Sequence, residues 1–173
     1  MRLVLTGFMG TGKTRVGRQV AERLNRPFLD TDAVIEKSAG RSVREIFATE
    51  GETSFRTRER RALEEVCATE DAVISVGGGA LLAAENRVLL SRSGLLVCLI
   101  ASPEEIAARV GPSVAERPLL AGASSLPDRI RELLAARASI YADVPEQVDT
   151  TGHSVEEVAD EVIRRLREAE RGA

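Results

Sequence analysis

The sequence predicts an α/β fold with a mainly parallel sheet, on three observations. Short apolar runs of strand character alternate with helical stretches, no repeat or low-complexity segment interrupts them, and the first strand runs directly into a glycine-rich turn that opens a helix. A length of 173 residues suits one domain, with no interdomain linker in view. Hydrophobic residues make up 43% and charged residues 29%, with a mean hydropathy of −0.08, an ordinary globular composition. The net charge of −3 and pI near 5.4 argue against nucleic acid or an anionic membrane as partner. Cations must therefore be recruited locally to any anionic ligand.

Arg2–Thr6 is the first strand, and the loop from Gly7 to Thr14 fits G-x-x-x-x-G-K-[ST]. Val16, Val20 and Leu24 give the helix that follows an apolar stripe. Pro27-Phe28-Leu29 makes a short second strand ending at Asp30-Thr31-Asp32, which lies beside the loop if the two strands are neighbours. Gly40 breaks the next helix, Ser42-Val43-Arg44-Glu45 reads as a capping box, and Gly51 interrupts again. A longer helix from about Glu52 carries Phe55, Ala62, Leu63 and Val66 on one face.

The third strand, 72–76, stops at Gly77-Gly78-Gly79, where the chain must need close backbone approach or unusual dihedrals. A helix over 85–90 precedes a strand over 95–100, and Ser102-Pro103-Glu104-Glu105 caps another helix. Residues 111–125 lose periodicity around Glu116-Arg117-Pro118, the pattern of a lid. A helix over 127–140 is expected to carry Arg137 near its end, and a last strand over 148–150 precedes a helix capped by Ser154.

Backbone amides of Gly10, Thr11 and Gly12, with Lys13, form a cradle for nucleoside triphosphate phosphates, and the Thr14 hydroxyl suits Mg²⁺. Lys13 and Lys37 are the only lysines, so the loop holds one of the two compact cationic point charges in the chain. Such loops also serve GTPases and motor ATPases, yet neither a guanine-reading N-K-x-D nor a D-x-x-G after the third strand is found. Val76-Gly77 stands where a Walker-B aspartate could have been, which shifts the acidic work to Asp30-Thr31-Asp32. Asp30 could hold metal-bound water and Asp32 could accept the proton of an acceptor hydroxyl; the plainer reading is that Asp32 caps a helix. Arg56 and Arg137, with the triple glycine, could grip a carboxylate, Glu59 could hold Arg56, and Arg117 could close over the transferring phosphoryl group. Each arginine taken alone reads as a solvated surface residue. His153, the only histidine, reads as structural or solvent-facing. Cys67 and Cys98 lack metal-ligand spacing and read as reduced core residues. With no apolar run of membrane-spanning length and no signal-peptide pattern before the first strand, a reducing cytoplasm is expected.

An ordered set of motifs resembles the shikimate kinases. It comprises Gly7-Phe8-Met9-Gly10-x-Gly12-Lys13, Phe28-Leu29-Asp30-Thr31-Asp32 with Ile35-Glu36, Glu45-Ile46-Phe47, and Gly51-Glu52 with Phe55-Arg56 and Glu59. The triple glycine, Arg117-Pro118-Leu119-Leu120, and Arg137 with Tyr141 complete it. The resemblance implies a P-loop kinase fold of the nucleoside-monophosphate-kinase type, a five-stranded parallel sheet flanked by helices with a mobile lid. It implies transfer of the ATP γ-phosphoryl group to the 3-hydroxyl of shikimate, with Mg²⁺, by a monomer. Asp32, Arg56, Gly78 and Arg137 would bind shikimate, Asp30 would sit near the metal, Arg117 would reach the phosphates, and Arg109 would lie near adenine. Three departures stand out: Thr14 for the usual serine, Val76 for a smaller residue, and Ala138-Ser139-Ile140-Tyr141 without the family's proline. A kinase for another small hydroxy acid such as gluconate, or for a nucleotide, and an ATP-binding module without turnover are the alternatives.

Overall fold

The computed structural model describes residues 1–116, 119–120 and 125–172. In chain order, β1 (Arg2–Thr6) leads through the glycine loop to α1 (Lys13–Leu24), then β2 (Phe28–Asp30), α2 (Thr31–Ala39) and α3 (Val43–Ala68). Next come β3 (Val73–Ser75), α4 (Ala84–Ser93), β4 (Gly94–Ile100) and α5 (Pro103–Val110). After α6 (Leu126–Ala135) and α7 (Ala138–Ala142), β5 (Glu146–Asp149) and α8 (Val155–Gly172) close the chain.

The five strands are parallel, in the order β2-β3-β1-β4-β5. Composition explains which strands are central. Leu3, Val4 and Leu5 of β1 are fully buried, as a strand covered on both faces requires, whereas β2 and β5 carry polar residues and take the edges. Alternation then splits β1 between two cores. Leu3 and Leu5 pack with Val16 and Val20 of α1 and Val158 and Val162 of α8, while Val4 faces Leu63 and Val66 of α3 and Leu90 of α4. A third, smaller cluster gathers Ile35, Ile46, Phe55 and Ala62 between α2 and α3.

Several expectations are corrected. β1 and β2 are not neighbours, because β3 lies between them; Ser75 is in register with both Leu5 and Asp30. Asp32 is not on a strand end but in the first turn of α2, since Asp30 caps that helix and turns the chain one residue earlier. Gly51, with φ 78° and ψ 178°, breaks α3 as expected, but the two halves abut without a loop. The helix expected over 127–140 is split, with Arg137 at φ −116° and ψ 2° between α6 and α7. Of the lid, Gly111–Glu116 forms a 3₁₀ segment and Leu120 is buried, while Arg117 lies outside the described residues. Among the described residues no helix is long and apolar enough to cross a membrane. Both cysteines are buried thiols.

Candidate active site

The loop after β1 is shaped by glycines that nothing else could replace at two positions. A Cβ on Gly7, at φ +131°, would lie 2.2 Å from the Leu99 carbonyl oxygen, and one on Gly10, at φ +78°, would lie 2.6 Å from Val110 Cγ1. Thr11 Oγ1 donates to the Phe8 carbonyl at 2.8 Å and tightens the turn. The N-cap of α1 is Gly12, which offers no side-chain cap, so the amides at the start of α1 are left for a ligand. Lys13 Nζ donates to the carbonyls of Gly7 and Phe8, both at 2.9 Å, which holds the ammonium across the loop.

The acidic pair meets this loop from the junction of β2 and α2. Thr14 Oγ1 donates to Asp30 Oδ2 at 2.9 Å, and Asp30 Oδ1 accepts the Asp32 amide at 3.0 Å. A hydroxyl and a carboxylate side by side are hard oxygen donors, and they fit Mg²⁺, which commonly takes one or two protein ligands and completes its shell with phosphate and water. Asp32 Oδ1 is buried and has no hydrogen-bond partner among the described residues. Burial, reinforced by Asp30 and opposed by Lys13, pushes the Asp32 carboxyl up to about 6.

The acceptor side is built from side chains. Arg56 NH1 donates to Glu59 at 2.8 Å, and the Glu59 side chain is only 2% exposed. Burial pushes the Glu59 carboxyl up, with Arg56 pulling against it. Burial also works against the Arg56 charge, but Glu59 and Glu52 more than offset it and keep the guanidinium firmly cationic. Arg137 NH1 and Tyr141 OH both donate to the Gly78 carbonyl, at 3.1 and 2.7 Å, and the Arg137 guanidinium lies 5.5 Å over the Phe8 ring.

The triple glycine is explained by this crowding. None of Gly77, Gly78 and Gly79 has positive φ, so unusual dihedrals are not the reason. A Cβ on Gly79 would stand 2.8 Å from Arg56 NH1, and one on Gly77 would stand 3.0 Å from Asp32 Oδ1. Gly77 N–H also donates to Thr31 Oγ1 at 3.1 Å, tying β3 to the start of α2.

Three cavities adjoin along one cleft through shared lining residues. The acceptor-side cavity, about 640 Å³, includes Asp32, Arg56 and Arg137 in its lining, and the phosphate-side cavity, about 280 Å³, includes Lys13, Thr14 and Asp30. They share Met9 and Asp32. A third, about 590 Å³, shares Gly10, Gly12 and Arg15 with the phosphate side and is bounded by Arg109, Thr150 and His153. There Arg109 donates to the Thr150 hydroxyl and carbonyl at 2.8 and 2.7 Å. Every described candidate residue therefore lines or adjoins a single cleft. Phe8, Thr31 and Tyr141 stand within the matched motifs, but their contacts to Arg137, Gly77 and Gly78 are made across the fold and no local spacing announces them.

A family model described as shikimate kinase matches residues 9–167. The chain belongs to the shikimate kinase family. It is 46% identical over 175 residues to a shikimate kinase of Symbiobacterium thermophilum, covering 99% of this chain and 100% of that protein. A shikimate kinase of Thermus thermophilus is 44% identical over 173 residues, covering 99% and 94% respectively. Among solved structures, the shikimate kinase from Acinetobacter baumannii in complex with shikimate superposes with a TM-score of 0.90 at 35% identity, covering 96% of this chain and 93% of that one. A gluconokinase from Sinorhizobium meliloti gives 0.60 at 19% identity over 98% and 94%, a likeness of fold alone. As a shikimate kinase family member, with a loop and sheet of P-loop kinase type, the chain is an ATP-dependent small-molecule kinase.

Proposed function

We propose that Asp32 is the base in transfer of the ATP γ-phosphoryl group to the 3-hydroxyl of shikimate, giving shikimate 3-phosphate and ADP. The observation that carries this reading is the position of Asp32 in the lining of both the phosphate-side and acceptor-side cavities. An acceptor hydroxyl meets the Asp32 carboxylate at that lining. Asp32 orients it and takes its proton as the hydroxyl oxygen bonds to the γ-phosphorus and the bond from that phosphorus to the ADP oxygen breaks. A carboxyl poised near 6 is mostly ionised at neutral pH and still a competent base.

Donor phosphates are held by the amides of Gly10, Thr11 and Gly12 and by Lys13, which exchanges the loop carbonyls for phosphate oxygens. Thr14 and Asp30 would hold Mg²⁺, which when bound neutralises charge on the phosphates. Arg56 and Arg137 grip the shikimate carboxylate, the amide side of Gly78 lies against the ring, and residues of about 30–60 form the acceptor wall of the one domain spanning 1–173. Arg117, on a lid of about 111–125, stabilises charge on the transferring group. One chain supplies both sides of the cleft, in keeping with a monomer. A reducing cytoplasm suits the ATP supply and the two buried thiols.

ATP turnover over a panel of shikimate, quinate, gluconate and nucleoside monophosphates tests the reading. Stimulation by shikimate above the others is expected, and its absence overturns the acceptor assignment.

A further inference from the structure

The Arg56 fork, on which the acceptor reading above relies, is already engaged by a carboxylate of the chain itself. Arg56 Nε and NH2 converge on one oxygen, Oε1 of Glu52, at 3.3 and 3.0 Å. NH1 meanwhile donates to Glu59. One cation is thus flanked by two glutamates, and the Nε/NH2 edge is one of the two edges of a guanidinium that can clasp a carboxylate in parallel.

The two glutamates differ in what they can give up. The Glu59 side chain is 2% exposed, and releasing it would strand a buried carboxylate. The Glu52 side chain is 67% exposed and lines the acceptor-side cavity, so it can turn into water and keep its hydration. It also stands directly after Gly51, where the helical backbone is interrupted. The Arg56 guanidinium also lies close to Gly79 and 5.4 Å over the Phe55 ring, so its orientation does not rest on Glu52 alone.

We propose that Glu52 is a specificity-determining placeholder, an internal carboxylate that occupies the acceptor-facing edge of Arg56 until the carboxylate of the acceptor displaces it. Glu59 is the permanent anchor. Acceptor binding is then an exchange of one carboxylate for another, and an acceptor whose carboxylate is replaced by a neutral group cannot drive it. The proposal rests on Arg56 gripping the acceptor carboxylate.

The sign of one measurement separates a placeholder from a residue that merely orients Arg56. In calorimetric titration with shikimate in the absence of ATP, Glu52→Gln is expected to bind about two- to fivefold more tightly than the parent, the scale of an exposed ion pair removed from competition. Glu52→Asp, too short to keep both contacts, is expected to fall between them. An orienting role predicts weaker binding in both variants, and weaker or unchanged binding overturns the proposal. Arg56→Ala is titrated alongside. If it weakens binding while Glu52→Gln changes nothing, the placeholder fails and the Arg56 assignment stands; if Arg56→Ala changes nothing, that assignment itself has failed.

Discussion

The donor and acceptor sides of the cleft are made of different materials. The phosphate side is backbone: a loop bent by glycines, uncapped amides at the start of α1, and one lysine held on loop carbonyls. The acceptor side is side chain: Asp32 from α2, Arg56 and Glu59 from α3, and Arg137 from the break between α6 and α7 meet over a floor of glycines. The backbone side needs only dihedrals that glycine adopts freely and is electrically inexpensive, whereas the acceptor wall holds ionised groups partly out of water. Stability is therefore sacrificed for function mainly on the acceptor side.

The sharpest way to break that contrast is Asp32→Asn. Turnover should fall by about 10²- to 10⁴-fold, the usual worth of a general base, while titration with ATP alone still saturates. The same change should make the ligand-free protein more stable at pH 8. The folded-state value near 6 is above the ordinary 3.8, so the stability this group contributes is fully present below 3.8 and is lost as pH rises through 6. Removing the charge should recover on the order of 1–3 kcal/mol at pH 8, with the gain vanishing towards pH 4 in denaturant melts. An unstabilised variant at pH 8 would place the cost of the site elsewhere.

Next in size is Arg56→Ala, which should raise the acceptor KM by roughly 10- to 100-fold and also destabilise the fold, because Glu59 is left buried without its cation. Adding Glu59→Gln should restore much of the stability and none of the acceptor affinity. Recovery of both would make Glu59, not Arg56, the residue that matters to the acceptor.

A matched pair of glycine substitutions then compares the two sides directly. Gly7→Ala meets a backbone carbonyl and a positive φ, so a loss of about 2–4 kcal/mol in thermal or denaturant unfolding is expected. Gly79→Ala meets only the tip of Arg56, which can shift. Its melting temperature should barely move while the acceptor KM rises about tenfold and the KM for ATP does not. The smallest effect belongs to Tyr141→Phe, which removes one of two donors on the Gly78 carbonyl and should cost about 1 kcal/mol, read as a several-fold rise in acceptor KM.

The same division governs what could be read from the sequence. The loop, the caps at Ser42, Ser102 and Ser154, and the apolar stripes of α1 and α8 are local patterns, and the structure reproduces them. Strand adjacency is not local, and nothing in the residues of β1, β2 and β3 announces that β3 sits in the middle. Asp30 and Asp32 look alike in sequence, yet a single capping bond makes one a helix start and leaves the other a half-buried carboxylate with one enclosed oxygen. The break at Arg137 was hidden for a related reason. No glycine or proline marks it, and what its backbone departure serves is a guanidinium that reaches Gly78.

Gly51 also draws a boundary along α3. Beyond it, the helix runs from Arg56 and Glu59 to Leu63 and Val66, which are built into the main core beneath the sheet. Before it, α2 and the first turns of α3 lean mostly on the small cluster of Ile35, Ile46 and Phe55. Amide hydrogen exchange should therefore change regime near this residue, with 31–50 opening in small excursions and the helix after 52 exchanging only when the whole sheet comes apart. Arg56 and Glu59 ride on the slow side of that border, so the carboxylate grip keeps its register with the phosphate loop while the wall in front of it breathes.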